Sequence, residues 1–138
     1  MQIYNCLTCG IECKAGRTKV NKFCSVVCQH KYAWTEIIRP EIEAGVRTQP
    51  GVLKKYLSEE RGALCEKCGN GETWNGLPLT LQLDHIDGDS DNNFPSNLRL
   101  LCPNCHTQTE TFGNGGLGNR YRKGTKRNKY LQEYKLGA

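Results

Sequence analysis

No run of about 18 apolar residues occurs anywhere in the 138-residue chain, so it has no segment long and apolar enough to be read as a membrane-spanning helix. The opening MQIYNCLTCG has no basic start followed by an apolar stretch, so no secretory signal is read there and a cytosolic chain is expected. Apolar residues are scarce at 37%, glycines number 15, and the mean hydropathy is −0.64. A chain this short and polar cannot build one large core. Something besides hydrophobic burial must help hold it.

What the chain does have is nine cysteines, regularly spaced. Cys6-x2-Cys9 is followed by Cys24-x3-Cys28, and Cys65-x2-Cys68 by Cys102-x2-Cys105; Cys13 is left over. In a reducing compartment such spacing points to metal rather than to disulfides. Four thiolates satisfy one tetrahedral zinc ion, and a two-residue gap lets a tight turn aim both sulfurs at one point. Two structural zinc sites are therefore expected.

In the first set, CLTCG reads as a turn with Gly10 after the second ligand, and FCSVVCQHKYAW as a loop entering a helix capped by Ser25, with Cys28 in its first turns. This layout suggests a treble-clef-like zinc knuckle of about 30 residues. His30 could serve as a substitute ligand, although an exposed helix histidine is the simpler reading. From Ala33 to Arg61 the pattern is helical, with one apolar stripe at Trp34, Ile37 and Ile38 and another at Val52, Leu53, Tyr56 and Leu57. Pro40 and Pro50 each interrupt or open a helix, giving two or three short helices. Two readings stand here: a DNA-reading helix-turn-helix with Lys54 and Lys55 facing phosphates, or a helical spacer whose apolar faces pack.

Charge changes sign along the chain. Residues 1–60 carry nine basic and six acidic side chains, residues 61–113 three and seven, and residues 114–138 seven and one. The last segment starts as a Gly/Asn linker and continues with Arg120, Arg122, Lys123, Lys126, Arg127 and Lys129, with Tyr121 and Tyr130 among them. Such a segment can neutralise phosphates while its tyrosines lie against sugars or bases, so it reads as a nucleic-acid-binding arm; a solvated tail is the alternative. Carboxylates flanked by positive charge suit a nuclease in which a divalent cation and a substrate phosphate must meet.

The acidic middle holds the densest chemistry. LDHIDGDSDNNFPSNLRLLCPNCH, residues 83–106, contains two histidines, four aspartates, four asparagines and two cysteines. LPLTLQLDHI alternates Leu79, Leu81 and Leu83 with polar residues, as a half-buried strand does. DGDSDNNFPS is rich in turn formers and reads as an exposed loop. Asn97 to Leu101 reads as a second strand, and Pro103 suits the first turn of a helix from about Cys102 to Phe112. His106, one residue past Cys105, turns about 100° away from the zinc, towards the strand of Asp84 and His85. Strict alternation would send Asp84 and His85 to opposite faces, so departure from strand geometry is expected at His85.

Asp84-His85, Asn97 ahead of LRLLC, and His106 in CPNCH, with Cys65 and Cys68 in CEKCG, resemble the HNH endonuclease motif in its zinc-stabilised bacteriophage and bacterial form. The resemblance covers roughly Leu64 to Phe112. It implies a ββα-metal nuclease unit acting on DNA, with His85 as general base, Asp84 and His106 as ligands of one catalytic divalent ion, Mg²⁺ or Mn²⁺, and Asn97 holding the loop that aims His85. The expected whole is a small α+β zinc-stabilised protein of the bacterial host cytoplasm. Its parts are a four-cysteine zinc module at 1–32, a helical connector at 33–61, the HNH domain at 62–113 and a basic tail at 114–138.

A different class of reading is a non-catalytic zinc-finger protein that only grips nucleic acid. DGDSDNN also resembles a calcium loop through Asp87, Asp89 and Asp91, but Asn92 stands where that loop needs glycine and Leu98 where it needs a bidentate glutamate. One active site cuts one strand, so a double-strand break calls for a homodimer or a second visit. Phage packaging proteins are the other partner class considered. For the tail, deletion of residues 114–138 is expected to leave cutting intact and to reduce the salt slope of DNA binding by about four to six, at about 0.9 per phosphate contact. Binding isotherms over a range of salt measure this, and equal slopes would make the tail only a solvated end.

Overall fold

The computed structural model describes residues 2–16, 21–71 and 73–112. The basic arm of 114–138 lies outside the described residues. Those described divide after Pro40 into two compact units.

The first unit is built round a hairpin and a helix. Strands β1 (Ile3–Asn5) and β2 (Glu12–Lys14) pair antiparallel with Tyr4 opposite Cys13, and the intervening turn carries Cys6 and Cys9. Helix α1 (Val26–Tyr32) starts as its sequence predicts, with the Ser25 hydroxyl accepting from the Cys28 N–H at 3.2 Å. Tyr4 donates its hydroxyl to the Phe23 carbonyl, and the Phe23 and Tyr32 rings meet at 5.2 Å, so a few aromatic contacts stand in for a core.

The helical path continues without a break, which corrects part of the expected punctuation. Residues Ala33–Ile38 widen to i→i+5 hydrogen bonding, with the Arg39 N–H donating to the Trp34 carbonyl, before α2 (Arg39–Glu43). Pro40 lacks an N–H and its ring crowds the preceding turn, and a widened turn just before it lets the chain remain helical. The expected stripe at Trp34, Ile37 and Ile38 is not buried: Ile37 is 46% exposed.

The second unit contains the sheet that carries the acidic segment. Helix α3 (Pro50–Arg61) opens with proline at its first position and buries Leu53, Tyr56 and Leu57. A small hairpin of β3 (Thr73–Trp74) and β4 (Leu77–Pro78) follows. Strands β5 (Gln82–His85) and β6 (Leu98–Leu101) pair antiparallel in the register Gln82↔Leu101, Leu83↔Leu100, Asp84↔Arg99 and His85↔Leu98. Leu57, Leu98, Leu100 and Leu101 are each 1% exposed or less, and α3 packs on both strands. Lys54 reaches the Leu81 carbonyl at 3.3 Å and Lys55 lies 3.8 Å from Glu59, so both lysines of the helix-turn-helix reading have partners within the protein.

Two element lengths differ from expectation. Of the strand expected through Leu79, Leu81 and Leu83 only Gln82–His85 forms, leaving Leu79 and Leu81 before it, because Leu77 and Pro78 are drawn into the β3–β4 hairpin. Helix α4 spans only Pro103–Thr107 rather than reaching Phe112. Its carbonyls are taken by side chains: Thr107 donates to the Asn104 carbonyl at 2.8 Å and Thr109 to that of His106 at 2.9 Å. Threonines that bond local carbonyls in this way compete with helix continuation. Because α3 supplies one side of the sheet's core, Leu57→Ala should lower unfolding stability by about 2–5 kcal/mol. A helix whose apolar face did not pack would instead change it by no more than about 0.5 kcal/mol; urea melts with zinc held constant distinguish the two.

Candidate functional site

The two cysteine sets close as the spacing predicts. Cys6, Cys9, Cys24 and Cys28 form one cluster and Cys65, Cys68, Cys102 and Cys105 the other, with all sulfurs of a set within 4.8 Å of one another. Among the described residues no other three His, Cys, Asp or Glu side chains come together so closely. Cys9 and Cys24 sulfurs are 3.6 Å apart, and Cys68 and Cys102 sulfurs 3.8 Å. Four sulfurs about 2.3 Å from a tetrahedral ion lie roughly 3.8 Å from each other, so both sets are geometrically compatible with zinc. Cys13 lies on β2 outside the cluster, and His30 is exposed on α1.

Both clusters use the same turn. The Cys6 N–H donates to the Ile11 carbonyl and the Gly10 N–H to that of Cys6; at the same offsets, Cys65 donates to Asn70 and Gly69 to Cys65. Gly10 and Gly69 take φ of 73° and 76°, a conformation that costs a side-chain-bearing residue strain. The turns also aim N–H groups at sulfur. The Cys6 thiol is pulled down to about 6, first by the backbone N–H of Cys24, then against burial by those of Cys9 and Thr8. Burial opposes ionisation of Cys65, but the N–H groups of Cys102, Cys68 and Lys67 outweigh it and bring that thiol also to about 6. Neighbouring thiols respond in the opposite sense: Cys28 chiefly pushes Cys24 up to about 12, and burial with three nearby sulfurs pushes Cys105 up to about 12. Each set thus contains a thiol ready to ionise beside one that resists, and a bound dication removes the repulsion.

The second cluster fixes the start of α4. The Cys102 sulfur accepts from the Cys105 N–H at 3.5 Å as the helix cap, and Glu66, inside the turn, docks on β6 through both its N–H and its carboxylate at Leu100. His106 is thereby directed at β5. Its Nε2 lies 3.4 Å from Asp84 Oδ1, and its Nδ1 lies 2.5 Å from Gln82 Oε1. Gln82 and Asp84, two residues apart, share one strand face, so one holds the ring while the other faces its second nitrogen. Asp84 is only 4% exposed, and its Oδ2 accepts from Arg99 Nε at 2.6 Å.

This pair fits a metal ion. An amide oxygen on Nδ1 keeps the proton there and leaves Nε2 a lone pair, the arrangement of a metal-bound histidine. Two ligand atoms each about 2.1 Å from one ion are separated by roughly 3–3.4 Å, which the Asp84–His106 distance meets.

His85 is placed differently. As expected, β5 ends at His85, where the loop begins; His85 is the last residue of the ladder, paired with Leu98. A four-residue strand can keep its register to the last residue because Asn97 closes the loop immediately beyond. The His85 Nε2 lies 3.0 Å from Asn93 Oδ1, whose own Nδ2 donates to the Asp91 carbonyl. Asn93 is 4% exposed and so holds the ring firmly.

The loop itself is drawn together by Asn97 and Asp87. Asn97 Oδ1 accepts from the Asp87 N–H, and its Nδ2 donates to Asp87 Oδ1 and to the Asn92 carbonyl, both at 2.9 Å. Asp87 also accepts from the Asp89 N–H and from Asn92 Nδ2, each at 2.8 Å. Burial opposes ionisation of Asp87, but these donors, Asn92 foremost, hold its carboxyl below the usual range. Its stabilisation of the loop is therefore complete above the ordinary carboxylate range and is lost as pH falls through the lowered value. Both Asp87 oxygens are used within the loop, an arrangement unlike the outward carboxylates of a calcium loop. Arg61 reinforces the loop's far end by donating to the Leu98 and Pro95 carbonyls, both at 2.8 Å.

A family model described as HNH endonuclease matches residues 65–112. The chain is also 48% identical over 61 residues to the H-N-H endonuclease F-TflIV of Escherichia phage T5, a stretch that is 44% of this chain and 26% of that protein. Residues 65–112 belong to the HNH endonuclease family. The chain spans about a quarter of the length of the phage relative it matches. No solved structure matches.

Within the HNH segment, Gln82, Asn93 and Arg99 are participants that the residue pattern did not single out, and Asp87, which it offered only as a calcium-loop ligand, closes the loop. Gln82 was discoverable as the same-face neighbour of Asp84. Arg99 became its partner only through the register, and Asn93 depends on the loop's closed path. The clusters themselves predict about two zinc ions per chain on elemental analysis, and loss of one of them in either Cys9→Ser or Cys68→Ser. A wild-type value of one would mean that one set does not close in solution.

Proposed function

We propose that the chain is a metal-dependent HNH endonuclease that hydrolyses DNA phosphodiester bonds, with β5, β6 and α4 as its ββα-metal unit and zinc in both cysteine sets. The observation that carries this reading is the Asp84–His106 pair, 3.4 Å apart with His106 held by Gln82, inside a segment that belongs to the HNH endonuclease family. The first unit is read as a treble-clef-like zinc module and the basic arm, Arg120 to Lys129, as a DNA contact. The proposed division remains a four-cysteine module at 1–32, a connector at 33–61, the nuclease domain at 62–113 and the tail.

Asp84 Oδ1 and His106 Nε2 would hold Mg²⁺ or Mn²⁺, with water and substrate phosphate completing its shell. When bound, the ion supplies neutralisation of phosphoryl charge and stabilisation of the leaving alkoxide. His85 acts as the general base. Asn93 Oδ1 is an acceptor, so the His85 Nε2 carries the ring proton and Nδ1 is left to take one from water. The water oxygen attacks phosphorus, the P–O3′ bond breaks, and the 3′ oxygen leaves opposite the incoming oxygen and is protonated from solvent. The resulting 5′-phosphate and 3′-hydroxyl ends are those that the family resemblance implies. Asn97, by closing the loop on Asp87, keeps Asn93 where it can hold His85.

The His85→Ala protein should keep its zinc and its DNA affinity while nicking supercoiled plasmid roughly 10²- to 10⁴-fold more slowly. Nicking at the wild-type rate would remove His85 from the reaction. A wild-type protein that binds DNA and never nicks it would favour a non-catalytic zinc-binding module.

A further inference from the structure

The HNH face carries a second feature beside the two proposed metal ligands. A cleft of about 480 Å³ is lined by Lys67, Arg99, Gln108, Thr109 and the carboxylates Glu66 and Glu110, among others. Glu66 is already occupied by Arg61 and the Leu100 N–H. The Lys67 side chain has no hydrogen bond or ion pair among the described residues. Arg99 uses only its Nε, on Asp84 Oδ2, and its Nη1 and Nη2 bond nothing among the described residues. The Arg99 side chain is 30% exposed, whereas the carboxylate it touches is 5% exposed. A guanidinium is thus held by its inner nitrogen against the proposed metal ligand, with its two outer nitrogens unassigned at a cleft.

We propose that Arg99 is a phosphate ligand of the cleavage site and that it couples metal binding to DNA binding. This rests on the nuclease reading above. In the free protein the Arg99 charge offsets that of Asp84, so Asp84 and His106 present little net negative charge to a dication and the ion is held weakly. A substrate phosphate accepted by Nη1 and Nη2 supplies the missing negative charge, and ion and DNA then favour each other. Lys67, in the same cleft, is suited to a neighbouring phosphate. Because the Arg99 charge repels a dication and attracts a phosphate, removing it affects the two in opposite senses. The ion alone gains and the phosphate loses.

The test is two binding measurements on the zinc-loaded full chain. Mn²⁺ alone should bind Arg99→Gln roughly 5- to 150-fold more tightly than wild type, the range of such couplings. A short DNA duplex without added divalent ion should bind Arg99→Gln more weakly, with a salt slope smaller by about 0.9. Unchanged Mn²⁺ affinity overturns the coupling, and an unchanged slope overturns the phosphate contact. Should Arg99→Gln fail to fold, Arg99→Lys and Asp84→Asn decide the matter. The lysine variant keeps the charge, so wild-type Mn²⁺ affinity and wild-type slope are expected, and a tighter Mn²⁺ affinity there contradicts the proposal. Asp84→Asn releases the guanidinium and should tighten ion-free DNA binding; weaker or equal binding contradicts it. These readouts do not depend on cleavage, so a failure of the nuclease reading appears in plasmid nicking and a failure of the Arg99 role appears here.

Discussion

Four sulfurs crowded within 4.8 Å in a chain with little apolar surface set the terms for the rest of the second unit. The thiols cannot all ionise beside one another without a cation, and with one they cross-link the turn at Cys65–Cys68 to the junction of β6 and α4. That junction decides where His106 points, because Cys102 caps the helix and Cys105 and His106 follow one another on its first turn. The same turn brings Glu66 onto Leu100, which secures β6 from the side away from β5. A helix of five residues has no stability of its own. Its position is the product of the cluster.

The proposed chemistry follows from alternation along a very short strand. Gln82 and Asp84 share a face and meet His106, while His85, in register to the end of the ladder, meets Asn93 of the loop. The two groups, which the proposed reaction brings to one phosphate, have different needs. In one, a buried carboxylate requires compensating charge, which Arg99 gives in the free protein and to which a bound dication adds. In the other, a histidine needs one nitrogen tied so that the other is free to accept a proton, and a buried amide ties it. Asn97 supports both by fastening the loop to the first residues beyond β5.

The thiolate sets were legible because a metal site imposes spacing on the sequence, and the turn, its glycine and the caps are local. The same holds for Ser25 and Cys28, for the loop within residues 87–96 and for Pro103. Element lengths were less legible, since they rest on competition: threonine hydroxyls end α4 early, and the hairpin at Thr73–Pro78 takes residues that alternation alone assigns to β5. Continuity through Pro40 depends on a widened helical turn that no residue pattern announces. Arg99 was illegible for a different reason. Between two leucines it reads as the polar member of an alternating strand, and only the register puts it opposite Asp84.

The central claim is that an ion held at Asp84 and His106 makes this segment cut DNA, and wild-type protein on supercoiled plasmid tests it most directly. With zinc content verified in every sample, added Mg²⁺ or Mn²⁺ should convert supercoiled to nicked circles, and ion-free buffer or chelator should stop the conversion. Nicking that proceeds equally without the ion, or its absence with every divalent ion in zinc-replete, folded protein, would contradict the account.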